Sequence, residues 1–153
     1  MSTNTERRAA PRPAKDSRHR SRETALQMLY QWEIGRTSIN DVLRTFRLHD
    51  VSDGPSGDLD GFSVRLATGV TETIGNIDPV ITEAAEHWRL ERMNVIDRLI
   101  LRLAVYEFLH EPDTPARIVI NEALELARTF SGDDAVRFVN GVLDAIRRRL
   151  ARE

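Results

Sequence analysis

The segment from 95 to 109, VIDRLILRLAVYEFL, constrains the fold more than any other part of the chain. Its apolar residues cover nearly the whole circumference of a helix, so no continuous polar face remains for solvent. Such a helix has to be enclosed by other elements. Asn94 can cap its start, and neither glycine nor proline interrupts the chain between Pro79 and Pro112. We therefore predict a central helix that is covered on several sides.

Amphipathic helices are predicted on both sides of this segment. They begin near Ser17, Ser38, Leu59, Asp78–Pro79, Thr114–Pro115 and Asp133–Asp134, and glycines end them at Gly35, Gly75 and Gly132. The stretch 50–58, DVSDGPSGD, has the composition of a loop. The sequence shows no alternation typical of paired strands, so it predicts an all-α fold of about seven helices. Gly141 falls inside the last helix, where we expect it to allow close approach of another helix.

Positive charge is concentrated at the start of the chain. Residues 1–22 contain seven basic and two acidic residues, although the whole chain has a net charge of −2. We predict a disordered basic arm at 1–16, which contains Pro11 and Pro13, followed by a helical domain at 17–153. A basic arm on an acidic body indicates a nucleic-acid or anionic-surface partner, and a solvated tail is the alternative. The two prolines disfavour a transit peptide.

The sequence lacks the motifs of most enzyme classes. It contains no cysteine, which excludes disulfides, thiolate metal sites, iron–sulfur clusters and cysteine nucleophiles. It also has no P-loop, no dinucleotide-binding glycine motif and no Gly-x-Ser-x-Gly motif. The longest uncharged stretch, Thr24–Trp32, is too short to span a bilayer, and no secretory signal follows Met1. We expect a cytoplasmic protein that has no catalytic site, cofactor, metal or membrane contact.

Two pairs of polar residues have spacings that are also found in metal-binding or catalytic sites. Glu107 and His110 have the i, i+3 spacing of di-iron helix bundles, but such a site needs a second pair and two more carboxylates. A polar stripe at the end of a buried helix is the simpler interpretation. Glu122 and Glu125 lie one helical turn apart, a spacing that would suit a catalytic acid and base. Pairing of these carboxylates with arginine is the more ordinary interpretation.

Several segments resemble one known family. They are SRHRSRETALQMLYQWEIG at 17–35, RLILRLAVYEFLH at 98–110, and PARIVINEALELARTF followed by SGDDAVRFVNGVL at 115–143. In order and spacing they are similar to the NusB family of bacterial transcription antitermination factors, across about 125 residues. Position 137 is Arg where the family often has Lys. The resemblance implies an all-helical fold of two packed helical subdomains.

The resemblance also implies a function. Members of this family bind the boxA element of nascent RNA together with a small-subunit ribosomal protein, NusE. The assembly joins RNA polymerase and suppresses premature termination, chiefly on ribosomal RNA operons. The implied partners are therefore single-stranded RNA, NusE and the RNA polymerase antitermination complex, and the implied role is not catalytic. The oligomeric state stays open, a homodimer included.

Carried over by matching position, the resemblance assigns residues to two surfaces. The RNA surface comprises Arg18, Arg20, Arg22, Phe130, Asp134, Arg137 and Phe138, and the protein-partner surface comprises Tyr30 and Asp97. These residue types suit the roles, because single-stranded RNA is held by cations at phosphates and by rings stacked on bases. Asp134 is expected to accept a hydrogen bond from a base amino group. From pattern alone Phe130 and Phe138 are core residues, and only the resemblance makes Phe138 an exposed stacking platform.

Two other functions compete with this one. A NusB-like domain also precedes a ribosomal RNA cytosine methyltransferase module in longer proteins. That enzyme needs catalytic cysteines and a cofactor-binding fold, and this chain has neither cysteine nor a glycine-rich loop. The remaining hypothesis is a helical adaptor that binds only protein. RNA binding measured with and without residues 1–22 distinguishes it from an RNA-binding factor.

Overall fold

The computed structural model describes residues 14–50 and 61–153, and over these ranges the chain forms seven α-helices and no strand. The helices are α1 (Ala14–Gly35), α2 (Ile39–Asp50), α3 (Gly61–Glu72), α4 (Ile74–Ala84), α5 (Val95–His110), α6 (Ala116–Phe130) and α7 (Asp133–Arg149). A short 3₁₀ turn, Leu90–Arg92, precedes α5. None of these helices is long and apolar enough to cross a membrane. The predicted all-α fold is confirmed.

Helix α5 is the centre of the molecule. Every side chain from Asp97 to Phe108 is buried, and α5 contacts α1, α3, α4, α6 and α7. The first three helices pack on one another, and α4 to α7 form a second group, so α5 belongs to one subdomain and touches the other. The prediction from its apolar circumference is confirmed, because burial on all sides is the only way to remove those side chains from water.

Two predicted helix starts are confirmed by hydrogen bonds. The Asn94 side chain accepts from the backbone N–H of Ile96 at 2.9 Å, and the Ser38 hydroxyl accepts from the backbone N–H of Asp41 at 3.2 Å. Each bond satisfies a donor that has no partner inside its own helix. Helix α1 begins at Ala14, earlier than the predicted Ser17.

The start predicted at Asp78–Pro79 is wrong. Helix α4 begins at Ile74, ahead of Asp78–Pro79, because the backbone N–H groups of Asn76 and Ile77 already bond to the Thr73 carbonyl. Pro79 therefore lies inside the helix, and Asp78 accepts two hydrogen bonds from Arg102 at 2.9 and 3.0 Å.

Helix α7 begins at Asp133, as predicted, but the predicted capping role of its two aspartates is wrong. Asp133 and Asp134 occupy its first turn and do not cap it, because Gly132 precedes the helix with a φ of 141°. Only glycine adopts this conformation readily, so Gly132 sets the turn between α6 and α7.

Helices α3 and α5 approach closely at Gly69. A Cβ atom added there would lie 2.3 Å from the Tyr106 ring, so no larger residue fits without movement. At Gly141 an added Cβ would meet nothing within 4 Å, and the predicted close approach at that position is wrong. Most of the predicted arm at 1–16 and most of the predicted loop at 50–58 lie outside the described residues.

Candidate RNA and protein interfaces

The arginines at the start of α1 are divided between solvent and interior. Arg18 and Arg20 are exposed, whereas Arg22 is only 3% exposed. The Arg22 guanidinium donates from Nε to Glu107 Oε2 at 2.9 Å and from Nη2 to Glu107 Oε1 at 2.7 Å. Because a buried carboxylate takes these donors, Arg22 is turned away from solvent. This placement leaves Arg22 little surface with which to contact RNA, and it gives Glu107 a protein partner.

Three guanidinium groups surround the Phe62 ring of α3. The Cζ atoms of Arg18, Arg22 and Arg65 lie 4.7, 5.3 and 5.1 Å from the ring centre. Arg18 and Arg22 therefore do share a helix face, as their i, i+4 spacing predicts. A cation over an aromatic face is attracted by the ring quadrupole. This contact fixes the exposed Arg18 at the edge of the domain.

His19 joins α1 to α6 between the two exposed arginines. Its Nδ1 lies 2.6 Å from Glu122 Oε2, and its Nε2 lies 2.9 Å from Glu23 Oε1. The hydrogen bond to Glu122 raises the pKa of His19, against the opposing effect of desolvation by burial. Glu125, the neighbour of Glu122 by one turn, pairs with Arg128. Both carboxylates of the predicted pair therefore have basic partners. His19 contacts Glu122, and Arg128 pairs with Glu125.

The turn between α6 and α7 brings the other predicted RNA residues together. Phe130 ends α6 and is 37% exposed, and Asp134 and Arg137 are exposed on the first turns of α7. Phe138 is half-buried and packs against the core. Its ring meets the edge of Trp88 at a centroid distance of 5.5 Å and an interplanar angle of 67°. Phe138 is therefore less open than the predicted platform, and Phe130 is the more exposed ring.

The spacing of apolar residues behind Pro79 predicts a buried Trp88, but this side chain is 60% exposed. Helix α4 ends at Ala84, so Trp88 follows the helix and does not share its buried face. A signal was present in the sequence, because the charged or polar residues Glu86, His87 and Arg89 surround Trp88. Trp88 and Phe138 together form an aromatic pair at the protein surface.

An apolar groove of about 360 Å³ lies on one side of the α6–α7 turn. It is lined by Leu26, Gln27, Tyr30, Gln31, Phe46, Ile96 and Phe130. Tyr30, predicted to face a protein partner, is 42% exposed there, and it shares the groove with Phe130, predicted to face RNA.

A second groove, also of about 360 Å³, lies on the other side of the turn. It is lined by Trp88, Arg92, Met93, Asn94, Asp97, Asp134, Ala135 and Phe138. Asp97 is 9% exposed, and its Oδ1 accepts a hydrogen bond from the Ser131 hydroxyl at 2.7 Å. The adjacent residues Ile96 and Asp97 line one groove each, so both grooves reach the first turn of α5.

This geometry suits binding and shows no metal centre. In the part of the chain that the structure describes, no cluster of three or more histidine, aspartate or glutamate side chains could hold a metal ion. Exposed rings, exposed arginines and two open grooves provide surfaces for a polymer and a protein. A family model described as the NusB family matches residues 19–148. The chain belongs to the NusB family.

Similar proteins agree with this membership. The transcription antitermination protein NusB of Solibacter usitatus is 46% identical over 134 residues, which are 88% of this chain and 90% of that protein. The solved structure of T. maritima NusB has a TM-score of 0.75 and 33% identity, covering 91% of this chain and 93% of the other. The resemblance stated from the sequence is confirmed.

A further solved structure shares the NusB fold at lower identity. It contains the antitermination factors NusB and NusE in complex with double-stranded RNA, and the similar chain has a TM-score of 0.76 at 23% identity. The similarity covers 88% of this chain and 98% of that one. At this identity the similarity shows the fold alone.

Proposed function

We propose that this chain is a transcription antitermination factor that binds boxA-type single-stranded RNA together with the small-subunit ribosomal protein NusE. It acts with RNA polymerase on ribosomal RNA operons, in the cytoplasm, and it catalyses no reaction. NusB-family membership supports the role, and the solved complex of a NusB protein with NusE and RNA supports the choice of partners. The α6–α7 turn is the observation that carries the proposal, because one turn joins an exposed ring, a half-buried ring, an exposed arginine and two grooves.

The RNA surface runs from the start of α1 to this turn. Arg18, Arg20 and Arg137 are exposed and supply positive charge for phosphates. Phe130 offers an exposed ring on which a base can stack, and Phe138 offers one edge beside Trp88. Stacking of this kind accepts any base, so base preference needs polar groups as well.

Asp134 lies midway between Phe130 and Phe138 along the chain. Its side chain is exposed in the first turn of α7, and it lines the groove that also contains Phe138. A carboxylate repels phosphate, so Asp134 accepts a hydrogen bond from a base amino group. The positive end of the α7 dipole favours a carboxylate at this position.

The protein partner meets the two grooves from the side of α1 and α5. Tyr30 presents an amphipathic ring in the apolar groove, as aromatic residues at protein interfaces do. Asp97 is held in place by Ser131 at the edge of the other groove. Because each groove also contains a candidate RNA residue, a partner seated here lies against the bound RNA.

Binding of RNA and NusE is therefore expected to be coupled. We would titrate fluorescently labelled boxA RNA with the chain alone and with the chain saturated with NusE, measuring anisotropy. Tighter RNA binding in the presence of NusE is expected, and NusE affinity must increase by the same factor when RNA is present. Tyr30→Ala is expected to reduce this coupling and to leave RNA binding by the chain alone unchanged.

A shuffled RNA of the same length serves as the control for sequence preference. Equal binding of boxA and shuffled RNA would contradict the proposal for boxA. Binding of NusE without any RNA affinity would favour the adaptor that binds only protein.

A further inference from the structure

His19 contacts two carboxylates with its two ring nitrogens. Nδ1 lies 2.6 Å from Glu122 on α6, and Nε2 lies 2.9 Å from Glu23 on its own helix. A neutral imidazole has one N–H group and an imidazolium has two. Carboxylates only accept hydrogen bonds, so this geometry is satisfied on both sides only when His19 is protonated.

Among the basic side chains near Glu122, His19 is the one that contacts it in the part of the chain that the structure describes. The charged groups in contact with His19 are Glu23 and Glu122. Arg18, Arg20 and Arg22 lie within three residues of it on α1, Glu122 also attracts Arg22, and Glu125 and Arg128 of α6 line the same groove as His19. Arg22 is paired with Glu107 of α5, and Arg128 is paired with Glu125. Glu122 is 8% exposed, and a carboxylate so buried needs a cationic or hydrogen-bonding partner. Among the described contacts, His19 provides it.

His19 and its two carboxylate partners lie beside residues of the candidate RNA surface. Its chain neighbours Arg18 and Arg20 are both exposed. A polar groove of about 480 Å³, lined by His19, Asn121 and Arg128 among others, lies between α1 and α6. Helices α1 and α6 both extend from the His19–Glu122 contact towards the groove that Tyr30 and Phe130 share. An RNA strand between the arginines and Phe130 therefore passes His19.

We propose that His19 is a positioning and charge-balancing residue of the RNA surface, and that RNA affinity falls when His19 loses its proton. This inference rests on the proposed RNA-binding function. The imidazolium offsets one of the two negative charges of Glu23 and Glu122, which otherwise repel phosphate, and it ties α1 to α6. With neutral histidine, one carboxylate faces a ring nitrogen that carries no hydrogen, and the arginines lose a neighbouring positive charge.

The direction of the pH effect follows from the raised pKa of His19, which the hydrogen bond to Glu122 causes. The stabilising contact is fully present below the pKa of histidine in the unfolded chain, about 6.5. It is lost as the pH rises through the higher value of the folded protein. RNA phosphate favours the protonated ring further, so RNA binding takes up protons and weakens as the pH rises.

The test is RNA affinity as a function of pH in the full chain. Labelled boxA RNA is titrated from about pH 6 to about pH 9, a range that spans histidine titration. The variants are His19→Gln, which is permanently neutral, and His19→Lys, which keeps a positive charge. His110→Gln is the matched control, because the His110 ring lies against Tyr106 and forms no ion pair with the carboxylates of the described ranges, 14–50 and 61–153.

We expect the wild-type chain to lose about two- to fivefold in affinity across this range, the effect of one partly exposed ion pair. His19→Gln should bind weakly at every pH, and His19→Lys tightly at every pH. The His110→Gln variant should follow the wild-type profile. In the RNA-free chain, Glu122→Gln should lower the titration midpoint of His19 measured by NMR.

The outcomes separate the two proposals. RNA binding with the same pH profile in wild type and His19→Gln overturns the inference and leaves the proposed function intact. Absence of RNA binding by every form at every pH overturns the proposed function, and the inference with it. An unchanged His19 midpoint in Glu122→Gln contradicts the contact on which the inference depends.

Discussion

At the scale of single residues, the exposure of the Phe130 and Phe138 rings decides how far each contributes to RNA binding and how far to folding stability. Phe130 is 37% exposed beside Tyr30, whereas Phe138 packs against the core and against Trp88. A ring that stacks on RNA has to leave one face open, while a ring in the core contributes through its buried area. The two residues therefore give different combinations of RNA affinity and free energy of unfolding when they are truncated.

We expect Phe130→Ala to weaken RNA binding by about 1–3 kcal/mol and to lower the free energy of unfolding only slightly. Phe138→Ala should lower the free energy of unfolding by about 2–3 kcal/mol, less than a fully buried phenylalanine, and should also weaken RNA binding. Thermal melts beside RNA titrations measure both quantities. A melting temperature that is unchanged in Phe138→Ala would instead support the fully exposed platform expected from the sequence.

Arg22 and Arg20 form a second contrast between neighbouring residues. Arg22→Ala leaves the Glu107 carboxylate buried without its partner, so we expect a loss of about 3–5 kcal/mol in the free energy of unfolding. The double change Arg22→Met with Glu107→Leu should recover most of it, since no unpaired charge remains. Arg20→Ala, at an exposed position, should change stability by less than about 0.5 kcal/mol and still weaken RNA binding.

Urea denaturation measures these differences in stability. If Arg22→Ala kept wild-type stability and lost RNA affinity, Arg22 would be restored to the RNA surface.

At the scale of helices, the contact between α3 and α5 depends on the absence of a side chain at Gly69. The Tyr106 ring occupies the space that a Cβ would need. Gly141 is also inside a helix, but its surroundings are open. The same substitution should therefore have opposite effects in the two helices.

We expect Gly69→Ala to destabilise the protein by about 1–3 kcal/mol through overpacking. Gly141→Ala should stabilise it by about 0.5–1 kcal/mol, because alanine has the higher helix propensity and the unfolded chain loses freedom. Denaturant midpoints for the two variants measure the difference. Destabilisation in both would mean that α7 has a close neighbour at Gly141 after all.

At the scale of the whole molecule, positive charge is separated from an otherwise acidic body. The net charge is −2, yet seven of the basic residues lie within residues 1–22. The exposed Arg18, Arg20 and Arg137 extend this charge from α1 to the α6–α7 turn. Attraction between such a surface and RNA phosphates depends on the release of counterions, so it depends on salt.

We expect log affinity for RNA to fall against log salt with a slope of roughly −2 to −3.5, if about three to five phosphates are neutralised. Replacing Arg18 and Arg20 together with alanine should reduce this slope by about 1.4, at about 0.7 for each phosphate contact on a single strand. Titrations at several salt concentrations measure both values. A flat profile in the wild-type chain would contradict contact between this surface and RNA.

The sequence by itself determined the helices and the family. A segment without a polar face had to become the central helix, and Asn94 and Ser38 mark helix starts because a side-chain oxygen there replaces a missing backbone partner. At Asp78–Pro79 the local pattern predicted a helix start wrongly, because backbone hydrogen bonds to the Thr73 carbonyl already begin the helix at Ile74.

Only the tertiary structure decided which of the predicted site residues face solvent. Helical spacing shows that Arg18 and Arg22 share a face, but not that Glu107 of α5 covers one of them and leaves the other open. In the same way, the pattern cannot show that Trp88 covers part of Phe138 or that His19 meets Glu122. The physical reason is that periodicity is a property of one helix, whereas burial and charge pairing depend on what a second helix brings against it.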